Sequence, residues 1–294
     1  MAISATMVKD LREKTNAGMM DCKKALEATD GDFEKAVDWL RAKGLSSAAK
    51  KSGRIASEGA VFAMSNGKTG VVGEINSETD FVARNDGFKA FVKDVANHAM
   101  NNPEGDILKQ KMNGMLIEDV LKEKIATIGE NLVIRRVKRY DLQGTGYIHT
   151  YVHGEGKIGV MVEVGGADTP ALRAFAQDVC LHIAAMNPMA ISADQMPADV
   201  VAKEKEVLRA KNVEQGKKPE MIDKIVEGQI RKFLAESCLL DQAFVKNPDL
   251  KVGQHMKNAG ADASVKRFVR FELGEGIEKK VEDFAAEVAA QMKN

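Results

Sequence analysis

The chain has 294 residues, 44% hydrophobic and 29% charged, enough apolar content to build cores in one to three domains. Its 43 Lys and Arg balance 43 Asp and Glu to a formal net charge of +0, whereas a grip on nucleic acid by electrostatics alone calls for a basic excess. No apolar run approaches the ~20 residues that span a bilayer, and the start lacks a signal peptide, so a cytoplasmic protein with no membrane contact is expected.

In chain order, the first 45 residues predict three short helices. Met7, Val8 and Leu11 share one face, Met19, Cys22, Ala25 and Leu26 a second, and Phe33, Ala36, Val37 and Leu40 a third. Asn16-Ala17-Gly18 and Asp30-Gly31-Asp32 supply breaks and caps. The basic, Ala/Ser-rich stretch Ser46 to Arg54 reads as a linker and closes a module at 1–54. So small a core is marginal alone. Compact three-helix modules mostly bind other proteins, and this one superficially resembles a ubiquitin-associated (UBA-like) fold without implying ubiquitin.

From Gly59 the pattern alternates. Val61 and Ala63 lead into an Asn66-Gly67 hairpin turn, and Val71, Gly73 and Ile75 return. A helix follows with Phe88, Phe91, Val92, Val95 and Ala99 on one face; a second, Leu116 to Thr127, ends at Ile128-Gly129-Glu130-Asn131; a strand runs Leu132 to Leu142. The order then restarts with Tyr147 to Val152, a turn at His153-Gly154-Glu155-Gly156, the alternating Val160, Val162 and Val164, and a helix with Leu172, Phe175, Val179 and Ile183. Arg270-Phe271-Glu272-Leu273 echoes Arg139-Tyr140-Asp141-Leu142. The expected fold is α+β, with a core of two related antiparallel-sheet-plus-helix subdomains at 55–144 and at 145–190 with 239–276.

Spacing between the repeats locates two insertions. Glu74 and Phe91 are 17 positions apart but Glu163 and Phe175 only 12, so the first repeat has a surplus of five, falling at Thr79-Asp80-Phe81-Val82-Ala83-Arg84-Asn85. We read this as a polar loop whose aromatic residue is a candidate contact, since loops on a rigid frame carry function. In the alternative, Phe81 tucks back under its own loop. Phe91 and Arg139 are 48 apart, Phe175 and Arg270 95, which gives the second repeat 47 extra residues. They coincide with Pro197 to Cys238, two antiparallel helices joined at Gly216-Lys217-Lys218-Pro219, an inserted helical hairpin at 191–238. Its apolar stripe must meet its own partner helix, the core or another chain. After Gly274-Glu275-Gly276 a C-terminal helix at 277–294 is expected, with Phe284, Ala285, Val288 and Met292 on one face.

Motifs for covalent chemistry are missing: no Walker loop, dinucleotide fingerprint or nucleophile elbow. Cys22, Cys180 and Cys238 sit in apolar helical patterns and read as reduced thiols. His98 and His182 hold equivalent helix positions and argue for scaffold. His149 and His153 flank a turn and read as exposed polar residues rather than a metal site. Glu78 and Asp80 read as solvated neighbours. No catalytic residue, metal ligand or cofactor is expected. Arg135, Arg136, Lys138 and Arg139 form either an RNA-binding stripe or the solvated face of a strand. What remains is a set of surfaces suited to a multipoint grip on a sizeable partner.

Several motifs lie in one family's order. Val8-Lys9-Asp10-Leu11-Arg12-Glu13-Lys14-Thr15 with Ala17-Gly18-Met19-Met20-Asp21-Cys22-Lys23-Lys24-Ala25-Leu26, then Glu78-Thr79-Asp80-Phe81-Val82-Ala83-Arg84, Ile128-Gly129-Glu130-Asn131 with Arg135-Arg136, His153-Gly154, and Phe271-Glu272-Leu273-Gly274-Glu275-Gly276 closely resemble bacterial elongation factor Ts (EF-Ts), the guanine nucleotide exchange factor for elongation factor Tu. The resemblance covers essentially the whole chain. It implies a protein of translation elongation that binds elongation factor Tu in its GDP-bound and nucleotide-free states and promotes GDP release without making or breaking a covalent bond. It assigns Thr79, Asp80, Phe81 and Val82 to an exchange segment that disturbs the partner's magnesium and phosphate site. Further partner contacts are implied at Arg12, Met19, Met20, Ile128, Gly129, His153, Gly154, Phe284 and Val288. No direct nucleic-acid contact is implied, and a homodimer through the hairpin is left open. Three other readings compete: an interaction scaffold without nucleotide effect, an RNA-binding translation protein, and an enzyme with an unfamiliar site.

Overall fold

The computed structural model describes residues 3–15 and 17–278, without the side chains of 45–47. The expected C-terminal helix, with Phe284 and Val288, lies outside the described residues. Helices and antiparallel strands mix along the chain in an α+β arrangement. Two compact units are formed, one from residues up to 62, 73–137 and from 272 on, the other from 63–72 and 138–271.

The first unit begins with α1 (Ala5–Thr15), α2 (Met19–Ala28) and α3 (Phe33–Lys51). Their shared core is Val8, Leu11, Cys22, Ala25, Leu26 and Ala36, with Met7, Phe33, Val37 and Leu40 packed around it. Asp32 caps α3 by accepting a 3.0 Å hydrogen bond from Lys35 N. The helix does not stop where the linker was expected; it continues to Lys51. Ala48 and Ala49 are strong helix formers, Ala48 is buried, and Lys50 and Lys51 complement the negative end of the helix dipole.

The chain continues as β1 (Glu58–Ser65), β2 (Thr69–Ser77), α4 (Asp80–Arg84), α5 (Asp86–Asn101), a short ribbon of β3 (Lys111–Met112) and β4 (Met115–Leu116), α6 (Ile117–Ile128) and β5 (Val133–Asp141). The second repeat follows as β6 (Gly146–His153), β7 (Ile158–Gly165), α7 (Pro170–Met186), the hairpin helices α8 (Ala198–Glu214) and α9 (Pro219–Ser237), a ribbon of β8 (Ala243–Phe244) and β9 (Asn247–Lys251), α10 (Val252–Ala259) and β10 (Ser264–Glu272). The sheet orders are β1-β2-β5 and β6-β7-β10, the same topology twice. The β1–β2 turn closes as its Asn-Gly pair predicts: Gly67 takes φ +89°, and Asn66 Oδ1 accepts from Lys68 N and Thr69 N at 3.0 and 2.8 Å.

Within the first unit α3 lies along α6. A Cβ on buried Gly44 would stand 3.2 Å from Ala126 Cβ, and Lys51 Nζ reaches the Ile125 carbonyl at 3.5 Å. The small module is thus held by packing in its own unit. In the second unit Val160, Val162, Val164, Leu172, Phe175, Val179 and Ile183 form the core between sheet and α7. The hairpin stripe is answered by its own partner helix: Ile222, Val226 and Ile230 are buried against Val201, Leu208 and Leu234, with Gly216 in the left-handed region at the tip. Val207, Val213 and Met221 remain exposed along it.

Candidate functional site

The five-residue surplus of the first repeat is the helix α4, Asp80–Arg84, rather than a loop. Five residues without a side-chain N-cap do not hold a helix by themselves. Local charges help: Asp80 in the first turn and Arg84 in the last complement the dipole and pair at 3.2 Å. Asn85 closes α4 by donating its N–H to the Val82 carbonyl, and its side chain caps α5 by accepting from Gly87 N and Phe88 N at 2.8 and 3.2 Å.

The approach to α4 is held from a distance. The hydroxyl of Thr79 does not cap the helix, because it donates to Glu130 Oε1 at 2.7 Å while the Thr79 N–H donates to Glu130 Oε2 at 3.0 Å. Glu78 answers in kind: its Oε1 accepts the Asn131 N–H at 2.6 Å and Arg54 Nη1 at 3.4 Å. Buried Asn131 closes the set with a 2.8 Å bond to the Arg54 carbonyl. Two adjacent acid–backbone clamps therefore join residues 78–79 to residues 130–131. Glu78 is not the solvated neighbour of Asp80 that its position suggested; the two acids face different partners.

Val82 is buried beneath the turn, whereas the ring of Phe81 is 77% exposed, which overturns the alternative that it tucks under its own segment. Phe81 and Val82 line a cavity of about 520 Å³ with Asn85, Gly87, Lys124, Thr127 and Ile128. Gly129 next to it ends α6 at φ +91°, its N–H bonded to the Ile125 carbonyl, and so turns the chain to deliver Glu130.

Of the other sequence-predicted residues, Met19 and Met20 lie exposed at the start of α2, 58% and 64%, and Arg12 is exposed on α1. They share the first unit with α4 but do not line its cavity. A second cavity of about 470 Å³ opens between the α1–α2 turn, α3 and α6, and Lys124 and Thr127 line both. His153 and Gly154 are exposed at the β6–β7 turn of the second unit, where Tyr151 Oη and His153 Nδ1 are 2.9 Å apart.

The arginine stripe has a different role from either expected reading. Arg135 and Arg136 turn inward on Glu74, which is fully buried: Arg135 Nη1 lies 3.0 Å and Arg136 Nε 2.6 Å from its oxygens. Asn76 Nδ2 and the Gly274 N–H complete its coordination at 3.0 and 2.8 Å. Burial pushes the Glu74 carboxyl up, but the hydrogen bonds from Gly274, Asn76, Arg136 and Arg135 together outweigh it and hold the group below the usual carboxylate range. In the second unit, buried Glu163 takes Arg267 Nε at 2.7 Å and the Gln143 N–H at 3.0 Å. Each repeat's buried carboxylate thus receives a backbone N–H from the residues just after the closing strand of the other repeat. The equivalent histidines are buried too, each beside a glutamine: His98 Nε2 lies 2.7 Å from Gln110 Oε1 and His182 Nε2 2.9 Å from Gln242 Oε1. Sequence reasoning missed Glu78, Glu130 and Asn131 as the holders of α4, and Glu74 as the partner of the arginines. An acid at the same place in two otherwise apolar strands was the available signal.

Among the described residues no group of three or more His, Cys, Asp or Glu is placed to hold a metal ion, and no helix is long and apolar enough to cross a membrane. The site is an exposed aromatic ring carried on a short, externally clamped helix beside an open cavity. A family model for elongation factor Ts matches residues 78–275. The curated elongation factor Ts of Bdellovibrio bacteriovorus (strain HD100) is 67% identical over 306 aligned positions, spanning 100% of this chain and 99% of the relative. The chain belongs to the elongation factor Ts family.

Proposed function

We propose that the chain is a guanine nucleotide exchange factor of translation elongation, which binds elongation factor Tu·GDP and promotes GDP release so that GTP can load. Family membership supports the partner; the observation that carries the mechanism is Phe81, 77% exposed on a helix whose neighbours hold it from both sides. In this reading α4 enters the partner's nucleotide site. Burying the ring supplies part of the free energy that displaces the elements around the magnesium ion, and the Asp80 carboxylate adds negative charge beside that cation.

Exchange factor and nucleotide weaken each other's binding by the same factor. Each tenfold weakening of nucleotide takes about 1.4 kcal/mol from the factor's interface, while burying a Phe contributes roughly 1.5–3 kcal/mol. One ring therefore accounts for only part of a large coupling. The remainder falls to anchoring contacts: Arg12, Met19 and Met20 on the N-terminal module (1–54, read as UBA-like), Ile128 and Gly129 beside α4, His153 and Gly154 at the β6–β7 turn, and the C-terminal segment with Phe284 and Val288. No step requires this chain to make or break a covalent bond.

The test is release of fluorescent GDP from elongation factor Tu with and without this protein. Acceleration that weakens on Phe81→Ala supports the reading. Absence of acceleration by the folded wild-type protein refutes it.

A further inference from the structure

We infer that Glu130 is a positioning residue for exchange: by holding Thr79, it sets the angle at which α4 presents Phe81. This rests on the exchange reading above. Three observations carry it. First, α4 is only five residues long and has no side-chain N-cap bond, so its orientation is not fixed by its own helix. Second, the group that would ordinarily cap it, the Thr79 hydroxyl, donates to Glu130 Oε1 at 2.7 Å, and the Thr79 N–H donates to Glu130 Oε2 at 3.0 Å, so one carboxylate restrains both the side chain and the backbone of the residue before the helix. Third, Glu130 is itself aimed: it follows the left-handed Gly129 that ends α6, and the next residue, Asn131, is bound through its N–H to Glu78 Oε1 at 2.6 Å.

The clamp spans 51 residues of sequence and joins two elements that both border the Phe81 cavity. It does not touch the ring, and it does not depend on the partner. Its effect is to pre-order α4, so that contact with the partner is not taxed by ordering a mobile segment. Loss of the clamp leaves the remote anchors intact and lets α4 sample orientations in which Phe81 misses its target. The maximal rate of nucleotide release then falls while the affinity supplied by the anchors is kept.

The experiment measures fluorescent GDP release from elongation factor Tu against increasing concentrations of the full-length protein, separating the maximal rate from the half-saturating concentration. Thr79→Val removes the hydroxyl at nearly constant shape, Thr79→Ser keeps it, and Glu130→Gln leaves a single acceptor oxygen. Thr79→Val and Glu130→Gln are each expected to lower the maximal rate about tenfold, with half-saturation within about twofold of wild type, a split read as loss of an interaction that matters only in the transition state. Thr79→Ser should stay near wild type, and the Thr79→Val/Glu130→Gln pair should lose less than the sum of the single changes, because both weaken the same two-bond clamp. A variant that merely unfolds in part shifts half-saturation and leaves the maximal rate, so a structural role reads differently. The proposal is overturned if the maximal rate survives both changes while Phe81→Ala lowers it, or if Thr79→Ser is as impaired as Thr79→Val. If Phe81→Ala is itself without effect, the exchange reading of α4 fails and this inference fails with it.

Discussion

Replacing Phe81 by Ala separates folding from function with little overlap. The ring is 77% exposed in the free protein, so its removal takes away almost no core contact, and the stability change belongs to the surface class, within about 0.5 kcal/mol. In a complex that buries the ring, the exposed three quarters of a full Phe burial of roughly 1.5–3 kcal/mol is at stake, about 1.2–2.3 kcal/mol. If that energy is realised only as the nucleotide site opens, the maximal GDP release rate falls roughly 7- to 50-fold. Stopped-flow release of fluorescent GDP at saturating factor reads the rate, and urea unfolding of the free protein reads the stability. A midpoint well below wild type would show that the ring packs in the free protein. An unchanged release rate beside unchanged stability would place the lever away from α4 and refute the reasoning.

Glu74→Gln should cost about 3 kcal/mol, the lower end of the range for breaking a buried ion pair, since both arginines keep partial exposure. Because the folded Glu74 carboxyl lies below its ordinary value of 4.5, its stabilisation is complete above that pH and lost as pH falls through the folded value. The wild-type advantage over Glu74→Gln in urea midpoint should therefore shrink on acidification below about pH 4.5. Gly129→Ala meets no atom within 4 Å, so its cost is the left-handed backbone alone, about 1–2 kcal/mol, with Gly129→Asn losing less; denaturant titration of the two variants checks the order. Burial holds the His182 pKa below 6.5 against a smaller opposing bond from Gln242. The unfolded chain takes up that proton first, so stability should decline as pH drops below 6.5, with His149 acting in the same sense, and His182→Gln should flatten that decline in urea midpoints between about pH 8 and 5.

Periodicity made the longer helices and the hairpin turns legible, because each repeats its pattern over several turns or strand positions. Comparing the two repeats placed both insertions, including the segment that bears Phe81. It did not disclose that the segment is helical: five residues complete barely more than one turn, too few for a 3.6-residue period to show. The Ser46–Arg54 stretch was misread because its composition resembles a linker, although its alanines favour a helix once α6 offers a surface. The inward turn of Arg135 and Arg136 was hidden for another reason. Their partner Glu74 lies 61 and 62 residues away, and a strand pattern records which face a residue takes, not whom it meets there. The clamp on Thr79 was hidden in the same way.

The crossed donation of backbone N–H groups has a consequence for how the chain comes into being. Glu74 is synthesised 200 residues before Gly274, the last donor to reach it. At a translation rate of about 5–20 residues per second, some 10–40 seconds separate the two. Throughout that interval the first repeat can assemble its sheet and pair Glu74 with Asn76, Arg135 and Arg136, but the bond from the Gly274 N–H to Oε1 is not yet made. Gln143 precedes Glu163 by only 20 residues, but Arg267, the charged partner of Glu163, follows it by 104. Both buried carboxylates therefore receive their last donor only when the nascent chain is nearly finished.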